Sequence, residues 1–335
     1  MHKTASTYIQ KCLRKNIQLL RREGFITPES REKNIALVRA LTDGNMHQWN
    51  QWLKPARQAG CQLLISNEAL SLRLCEPVAG MNVPSGLWLA DQLKTLGWRL
   101  RIIGFIRNQE SYLNSRYTQL TKRLRVDCDF KTYARKVMRG ATISECNLMT
   151  LFSWIKEDPS IMTSMIPFAS ARDQNGQVIQ HKIDPFEQLI SELDLTPQTI
   201  AGTQRTKVLN QQPGRIGVSL STEICQFIQQ NQPDALKTHR KKLSAAIEEL
   251  AIKKKWGQEP FNGLTTQLSH DIREHYRLTN QRFCRSFWPN QKWEEIFPDV
   301  QEAESTVDIK DDEDNLRNLR HNVIKSTIPA LSSIQ

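Results

Sequence analysis

Two short apolar runs on either side of a helical segment constrain the fold more than any other feature of this sequence. The runs are Cys61–Ser66 (CQLLIS), directly after Gly60, and Leu100–Ile106 (LRIIGFI). Each run is too short for a helix and is bounded by polar turns, which is typical of a strand buried on both faces of a parallel sheet. Between them, Pro84–Leu96 begins with residues that favour a helix start and ends at Gly97. Together the three segments predict a βαβ unit.

The same alternation continues along the first 200 residues. Helical patterns are followed by a further strand pattern at Ile161–Ile166, which Pro167 ends, and by a helix that Asp184 and Pro185 open. This order predicts an α/β fold with a doubly wound parallel sheet. After residue 205 only helical patterns remain, near 221–230, 234–255 and 264–288. We therefore predict an α/β core over 1–200, a helical part of the same domain over 201–298, and a mobile acidic tail over 299–335.

Composition narrows the class of protein and its compartment. A chain of 335 residues can build such a core without metals or disulfides, and its seven cysteines have no close pairing, which favours a reduced, cytoplasmic location. No stretch reaches the roughly 18 apolar residues of a membrane span, and no signal peptide is recognisable. The net charge of +11 suits an anionic ligand. Because the basic residues are dispersed and not interleaved with aromatics, we do not expect nucleic-acid binding.

A candidate anion site lies at the start of the chain, in the segment Met1-His2-Lys3-Thr4-Ala5-Ser6-Thr7-Tyr8-Ile9-Gln10. The free N–H groups of a helix start attract phosphate, and a lysine and hydroxyl groups add further donors. A helix cap beside an unrelated lysine is the simpler explanation of this segment taken alone. A Walker loop, G-x-x-x-x-G-K-[ST], does not occur in the sequence.

This segment resembles the 5′-phosphosulfate loop of the PAPS-dependent sulfotransferases, typically H-K-T-G-T-T-x-I-Q, with Gln10 in register and Ala5 in place of the usual glycine. PAPS is 3′-phosphoadenosine-5′-phosphosulfate. The resemblance, to bacterial carbohydrate-type members above all, implies a P-loop NTPase-like three-layer parallel sheet with helices on both faces and a helical C-terminal part. It also implies that the cofactor is held by Lys3, Thr4, Ala5, Ser6 and Thr7, and that Lys3 stabilises the charge that develops as sulfur leaves.

A second candidate contact follows the strand predicted at Leu100–Ile106. Arg107 lies at its carboxyl end, where open α/β sheets bind ligands, and Ser115 follows eight positions later on a predicted helix. The spacing alone is equally compatible with two surface residues. The pattern is similar to the 3′-phosphate site of sulfotransferases, and the resemblance implies that Arg107 and Ser115 bind that phosphate. Ser111, one helical turn nearer to Arg107, is the alternative serine.

A carboxylate ends the other predicted strand. Glu68 follows Leu64–Asn67, at the edge where the ligand is expected, and could remove a proton from an attacking hydroxyl or amine. Several sulfotransferases look like this, with a glutamate after the second strand as base. A helix-capping role or an ion pair with Lys3 is the structural alternative, and His2 is a less favoured base.

The resemblance also implies an element that the sequence lacks. In the family an apolar strand directly precedes H-K-T at the centre of the sheet, whereas this chain begins with Met1 and His2. We therefore expect either a true start upstream of Met1, or a sheet whose first strand is missing and whose two neighbouring strands have unpaired edges.

The sequence thus predicts a sulfotransferase that moves the sulfuryl group from PAPS to an acceptor hydroxyl or amine, with a glycan as the favoured acceptor and PAP as the product. No metal ligands with suitable spacing are present, so we expect no metal. Two alternatives remain open: a nucleotide or sugar kinase of the P-loop class, and a catalytically silent nucleotide-binding protein.

Overall fold

The strands form two separate parallel pairs in the part of the chain that the structure describes. A computed structural model describes residues 6–140, 145–168, 184–206, 213–298 and 313–328. The strands are β1 (Phe25–Ile26), β2 (Gln62–Leu63), β3 (Arg101–Ile106) and β4 (Met162–Pro167). Within these ranges, β1 pairs with β2 and β3 pairs with β4, both in parallel.

All four strands belong to the first of two structural units, which consists of residues 1–108, 141–208 and 276–299. The predicted crossover helix is present as Ser85–Thr95, between β2 and β3. The helices of this unit are α1 (Ser6–Lys15), α2 (Ile17–Arg22), α3 (Arg31–Thr42), α4 (His47–Gln58), α5 (Leu70–Arg73), α6 (Ser85–Thr95), α9 (Leu148–Phe152), which continues as a 3₁₀ turn over Ser153–Glu157, α10 (Pro185–Ser191), α11 (Pro197–Ala201) and α15 (Trp293–Ile296).

Apolar clusters cover both faces of the β3–β4 pair. Alternate side chains of β3 enter different clusters, with Ile102 and Ile106 on one side and Ile103 and Phe105 on the other, as the two-residue period of a strand requires. We call the first the tryptophan cluster; its buried tryptophans are Trp49, Trp154, Trp288 and Trp293. We call the second the α1 cluster; it includes Tyr8, Ile9, Cys12, Leu13, Phe25, Phe105, Ile166, Phe186 and Ile190.

The second unit, residues 109–140, 209–275 and 300–335, is helical in its described part. Its helices are α7 (Gln109–Lys122), α8 (Phe130–Arg139), α12 (Gly214–Asn231), α13 (Pro233–Lys253), a 3₁₀ turn (Trp256–Gln258), α14 (Thr266–Phe287) and α16 (Glu313–Thr327). Helix α14 contributes residues to both units. The apolar core of the second unit includes Leu124, Leu220, Ile224, Ile228, Leu243, Ile247, Leu316, Val323 and Ile324.

Helix α16 lies within the stretch for which we predicted a mobile tail. Leu316, Val323 and Ile324 are buried and pack with residues of α12 and α13. These apolar positions are spaced seven and eight residues apart, so they share one face of the helix. For 313–328 a packed helix therefore replaces the predicted tail; the boundaries at residues 200 and 298 stay predictions.

The α/β class is confirmed, but the described residues do not form one continuous three-layer sheet. The predicted strand Cys61–Ser66 pairs only over Gln62–Leu63, whereas the two other predicted strands pair over six residues each. Within the described ranges, no helix is long and apolar enough to cross a membrane.

Candidate functional site

Two of the predicted segments meet at one hydrogen bond. The Ser6 Oγ, at the first residue of α1, donates to Glu68 Oε2, which follows β2, at 3.1 Å. The two residues are 62 positions apart in sequence, so this contact exists only through the tertiary fold. Thr7 is exposed in the first turn of α1. The other predicted loop residues, Lys3, Thr4 and Ala5, and the alternative base His2, lie outside the described residues.

The first turns of α1 are fixed by burial and by a tyrosine contact. Tyr8 and Ile9 are buried in the α1 cluster, which leaves the start of the helix at the protein surface beside Glu68. The Tyr8 hydroxyl donates to Asp184 Oδ2. Burial, together with this hydrogen bond to a carboxylate, raises the pKa of Tyr8 well above its usual range. The same carboxylate caps α10, because Asp184 Oδ1 accepts from the Phe186 N–H at 2.7 Å.

Ser6 and Glu68 both line a cavity of about 480 Å³. Ser6, Ser66, Asn67 and Glu68 form a polar part of its lining, and much of the rest is apolar. Asn67 shapes the chain here, since its Oδ1 accepts from the Ala69 N–H at 2.9 Å and turns the backbone after β2. Hydroxyl, amide and carboxylate groups therefore meet where α1 begins.

Arg107 directly follows β3, as the sequence predicted. Its guanidinium lies over the Phe168 ring, 6.0 Å from the ring centroid. Burial lowers the pKa of Arg107 to about 10, because desolvation disfavours the charged form. At neutral pH the side chain is still a cation. A desolvated cation at a strand end is suited to an anionic ligand, since water screens it less than it would an exposed arginine.

Ser115 is half-buried on α7. Its neighbour Asn114 has a structural role, because its side chain accepts from the Gly263 N–H at 2.9 Å and donates to the Phe261 carbonyl at 3.2 Å. Arg107 belongs to the first unit, and both Ser115 and Ser111 belong to the second. The joint role of Arg107 with either serine therefore stays a prediction.

One buried charged pair was not anticipated from the sequence. In the second unit, Glu110 contacts Arg273 as an ion pair, and their side chains are only 3% and 13% exposed. Glu110 lies in the first turn of α7, where an acidic residue ordinarily complements the helix dipole at the surface. Nothing in its sequence neighbourhood indicated burial, since its partner lies in a different helix, far along the chain.

In the described ranges, the cysteines and metal-ligating side chains form no further candidate site. All seven cysteines lie in described ranges and are free thiols. The described residues contain no group of three or more histidine, cysteine, aspartate or glutamate side chains arranged to hold a metal ion. The chain matches no protein-family model, and no curated protein or solved structure is significantly similar to it.

Proposed function

We propose that this chain is a sulfotransferase that binds PAPS at the start of α1 and transfers the sulfuryl group to a hydroxyl or amine. The observation that carries the proposal is the Ser6–Glu68 hydrogen bond. It joins the segment that resembles a phosphosulfate loop to the carboxylate expected to act as base. The same proposal includes two further assignments, a P-loop-like three-layer sheet and a cytoplasmic location.

The start of α1 suits the 5′ end of the cofactor. An α-helix of ten residues offers its first N–H groups and the positive end of its dipole to an anion. Ser6 and Thr7 would add hydroxyl donors, Thr4 and the Ala5 backbone would complete the loop, and Lys3 would stabilise the bridging oxygen. When the phosphosulfate binds, Ser6 exchanges its carboxylate acceptor for the ligand. Without this donor, Glu68 would accept a proton from the acceptor.

The proposal assigns the 3′-phosphate to Arg107, and the part of Ser115 in binding it stays a prediction from the sequence. A phosphate here would pair with a partly desolvated guanidinium, and hydrogen bonds to charged groups contribute roughly 1.5–3 kcal/mol. The transfer itself is an in-line displacement at sulfur: the acceptor oxygen or nitrogen forms a bond to sulfur as the bond to the phosphate oxygen breaks. PAP leaves, and the acceptor proton passes to Glu68.

The first test compares ligands. PAP should raise the melting temperature more than adenosine 5′-phosphate, because only PAP has the 3′-phosphate. Arg107→Ala should remove most of that difference, whereas Arg99→Ala, which changes an arginine before the same strand, should retain it. Equal shifts with the two nucleotides in the wild type would contradict the assignment. A larger shift with ATP and magnesium would favour the kinase alternative.

The second test separates chemistry from binding. Glu68→Gln should leave PAP affinity within a few-fold and reduce sulfuryl transfer from labelled PAPS to a glycan panel by on the order of 100-fold. Glu157→Gln, at an exposed carboxylate, is the matched control. Ser6→Ala removes the hydrogen bond to Glu68 but keeps the carboxylate, so it should retain more transfer than Glu68→Gln. If both variants lose stability equally and transfer is unchanged, Glu68 is a structural partner of Ser6 only.

A further inference from the structure

Two exposed apolar side chains lie on one short loop of the first unit. Met81 and Val83 are 51% and 40% exposed, and both belong to the loop over residues 77–84, between α5 and α6. The other large apolar residues that are exposed in the described ranges lie singly on other elements: Leu96, Met162, Ile252 and Leu278. A single exposed apolar residue needs no explanation, whereas two on one loop indicate a contact surface.

The 77–84 loop belongs to a long uncharged stretch. No charged residue occurs over 77–90, although 24% of the residues of the chain are charged. The charged residues that bound the stretch are Glu76 and Asp91, and Glu76 forms an ion pair with Arg73. Because burial of an unpaired charge is costly, a stretch without charges can enter an apolar layer at low cost.

Backbone hydrogen bonds fix the shape of the loop. The Val78 N–H donates to the Val83 carbonyl at 3.0 Å, and the Met81 N–H donates to the Val78 carbonyl at 2.9 Å. The Ala79 N–H donates to the carbonyl of Thr42, the last residue of α3, at 2.8 Å. These N–H groups therefore lose no water partner when the loop is covered, and little order has to be imposed on the loop when it binds.

The first turn of α6 directly follows the loop and adds a tryptophan. Leu87 and Trp88 are half-buried, and both pack against the tryptophan cluster. Within the described residues the Trp88 indole N–H makes no hydrogen bond, so it can donate to a group outside the protein. A tryptophan with an apolar ring in contact with other apolar groups and an available N–H is typical of the interface between a membrane and water.

The polar groups around the loop favour a lipid bilayer over a protein partner. Protein interfaces ordinarily have a rim of polar and charged side chains, whereas Asn82 is the one polar side chain of the loop. At the end of α3, beside the anchor of the loop, Arg39 and Asp43 are exposed and have opposite charges. We therefore expect an apolar contact that does not require anionic lipids.

The loop is joined to the cavity that Ser6 and Glu68 line. The Gly86 N–H, directly after the loop, donates to the Leu74 carbonyl at 2.8 Å. Leu74 belongs to the lining of the cavity, as do Ser6 and Glu68. A bilayer that receives the loop would therefore approach the molecule next to this cavity.

We propose that the 77–84 loop and the first turn of α6 dock into the interfacial layer of a lipid bilayer. Met81 and Val83 contact the acyl chains, and the Trp88 indole lies at the level of the headgroups. The contact is a reversible docking of one surface and is independent of the proposed sulfotransferase activity. One consequence rests on the proposed function: the sulfuryl acceptor is a hydroxyl-bearing headgroup of a lipid in that bilayer.

The first experiment measures binding of the full chain to phosphatidylcholine vesicles by flotation at millimolar lipid. In about 1 M NaCl the Debye length is only about 3 Å, so attraction through the net charge of +11 is screened and bound protein reports the apolar contact. The double variant Met81→Asp/Val83→Asp should reduce the bound fraction at least about fivefold. The matched control is Ile252→Asp/Leu278→Asp, at positions that are 53% and 61% exposed, and it should bind like the wild type. Circular dichroism checks that both variants fold.

Tryptophan emission locates the contact on the protein. Vesicles with brominated acyl chains quench indoles that reach the bilayer, and they should quench part of the wild-type emission. Trp88→Phe keeps an aromatic ring in the tryptophan cluster but removes the indole, so most of this quenching should disappear. Trp256→Phe, at a half-buried position of the second unit, is the control and should retain it.

A transfer assay tests the consequence for the acceptor. With labelled PAPS, the Met81→Asp/Val83→Asp variant should transfer sulfuryl groups to a long-chain alkyl glucoside in vesicles at least about fivefold less than the wild type. Its transfer to free glucose should be unchanged. Vesicle binding without transfer to either acceptor would contradict the sulfotransferase proposal and leave the docking in place, so the two failures are distinguishable.

Three results would overturn the docking. The first is the absence of bound protein in high salt. The second is equal binding by the wild type and by Met81→Asp/Val83→Asp, which would place the membrane contact elsewhere. The third is self-association in analytical ultracentrifugation that this variant abolishes, without vesicle binding by the wild type, which would assign the loop to a second copy of the chain.

Discussion

The two parallel pairs of the first unit differ sharply in length, although the runs that contain β2 and β3 predict similar strands. In β3–β4 six residue pairs are in register, from Arg101 with Met162 to Ile106 with Pro167. In β1–β2 there are only two, Phe25 with Gln62 and Ile26 with Leu63. The run that contains β2 is nearly as apolar as the run that contains β3. Apolar composition therefore does not set the length of a strand.

The partner strand explains the difference. Strand β1 is followed by Thr27 and Pro28, and a proline has no N–H to donate to a ladder. The next element, α3, is capped by Ser30, since the Ser30 Oγ accepts from the Lys33 N–H at 3.2 Å. Beyond Leu63, the run Leu64–Ser66 thus has no neighbouring strand on the β1 side. Strand β4, in contrast, continues for the full length of β3.

The largest expected effect on stability comes from shortening an isoleucine side chain to alanine in each of the two pairs. Ile106 and Ile65 belong to the tryptophan cluster, but Ile106 is fully buried and Ile65 is half-buried at the cavity wall. Ile106→Ala should lower the free energy of unfolding by about 2–5 kcal/mol, because it removes buried methyl groups and leaves a void. Ile65→Ala should cost about 1–2 kcal/mol. Urea denaturation measures both, and similar costs would contradict the distinction between the two pairs.

Loss of one side-chain hydrogen bond to β4 should lower the free energy of unfolding by a smaller amount. The Trp288 Nε1–H donates to the Met165 carbonyl at 2.6 Å in the buried core. Trp288→Phe leaves that carbonyl without its donor and should cost about 1–3 kcal/mol beyond the loss of ring contacts.

Trp293 supplies the control for this prediction. It lies in the same cluster, but its buried Nε1 has no hydrogen-bond partner in the described part of the chain. Trp293→Phe should therefore lower the urea midpoint less than Trp288→Phe does. The reverse order would show that the Trp288 bond contributes little to the stability of the β3–β4 pair.

The smallest expected effect is a difference between the alkylation rates of two cysteines, which leaves the fold unchanged. Cys284 is buried in the tryptophan cluster, and desolvation raises its pKa to about 11, whereas Cys61 is half-buried directly before β2. At pH 8 only roughly one Cys284 thiol in a thousand is ionised, so iodoacetamide should alkylate Cys61 much faster. Mass spectrometry of digested protein locates the label. In urea the alkylation rates of Cys284 and Cys61 should become similar. Equal rates in the native protein would contradict the burial of Cys284.

The same pKa has a consequence for stability at high pH. An unfolded cysteine ionises near pH 8.5, and folded Cys284 ionises only near pH 11. Its neutral thiol therefore favours the folded state below pH 8.5, and this contribution is lost as the pH rises towards 11. Cys284→Ala should change the alkaline part of the pH dependence of the urea midpoint relative to the wild type, and an unchanged profile would contradict the raised pKa.

Much of the secondary structure could be predicted because it depends on local sequence. The crossover helix, the Leu100–Ile106 strand and the helix opened by Asp184 are present within a residue or two of their expected bounds. Capping residues and periodicity act over a few positions, so the sequence displays them directly. The tail prediction was wrong for 313–328, because acidic composition obscured the apolar face of α16.

The site was predictable in its parts but not in its contacts. Sequence placed Glu68 after a strand, Arg107 after another and Ser6 at a helix start, and the structure agrees with these placements. It did not indicate that Ser6 donates to Glu68, or that Glu110 and Arg273 form a buried ion pair. Both contacts join residues that are distant in the chain, and no local pattern specifies such partners.

The sequence by itself determined the α/β class and the places of β2, β3 and β4 among the helices, but it did not indicate β1 (Phe25–Ile26). Only the tertiary structure decided which strands pair, how far each pair extends and where a cavity remains between β2 and β3. The physical reason is the range of the interactions. Caps, turns and periodicity depend on neighbouring residues, whereas strand pairing requires a second main chain to be present at the same edge. A run such as Leu63–Ile65 has the composition of a central strand, but its pairing depends on a partner that its own sequence does not supply.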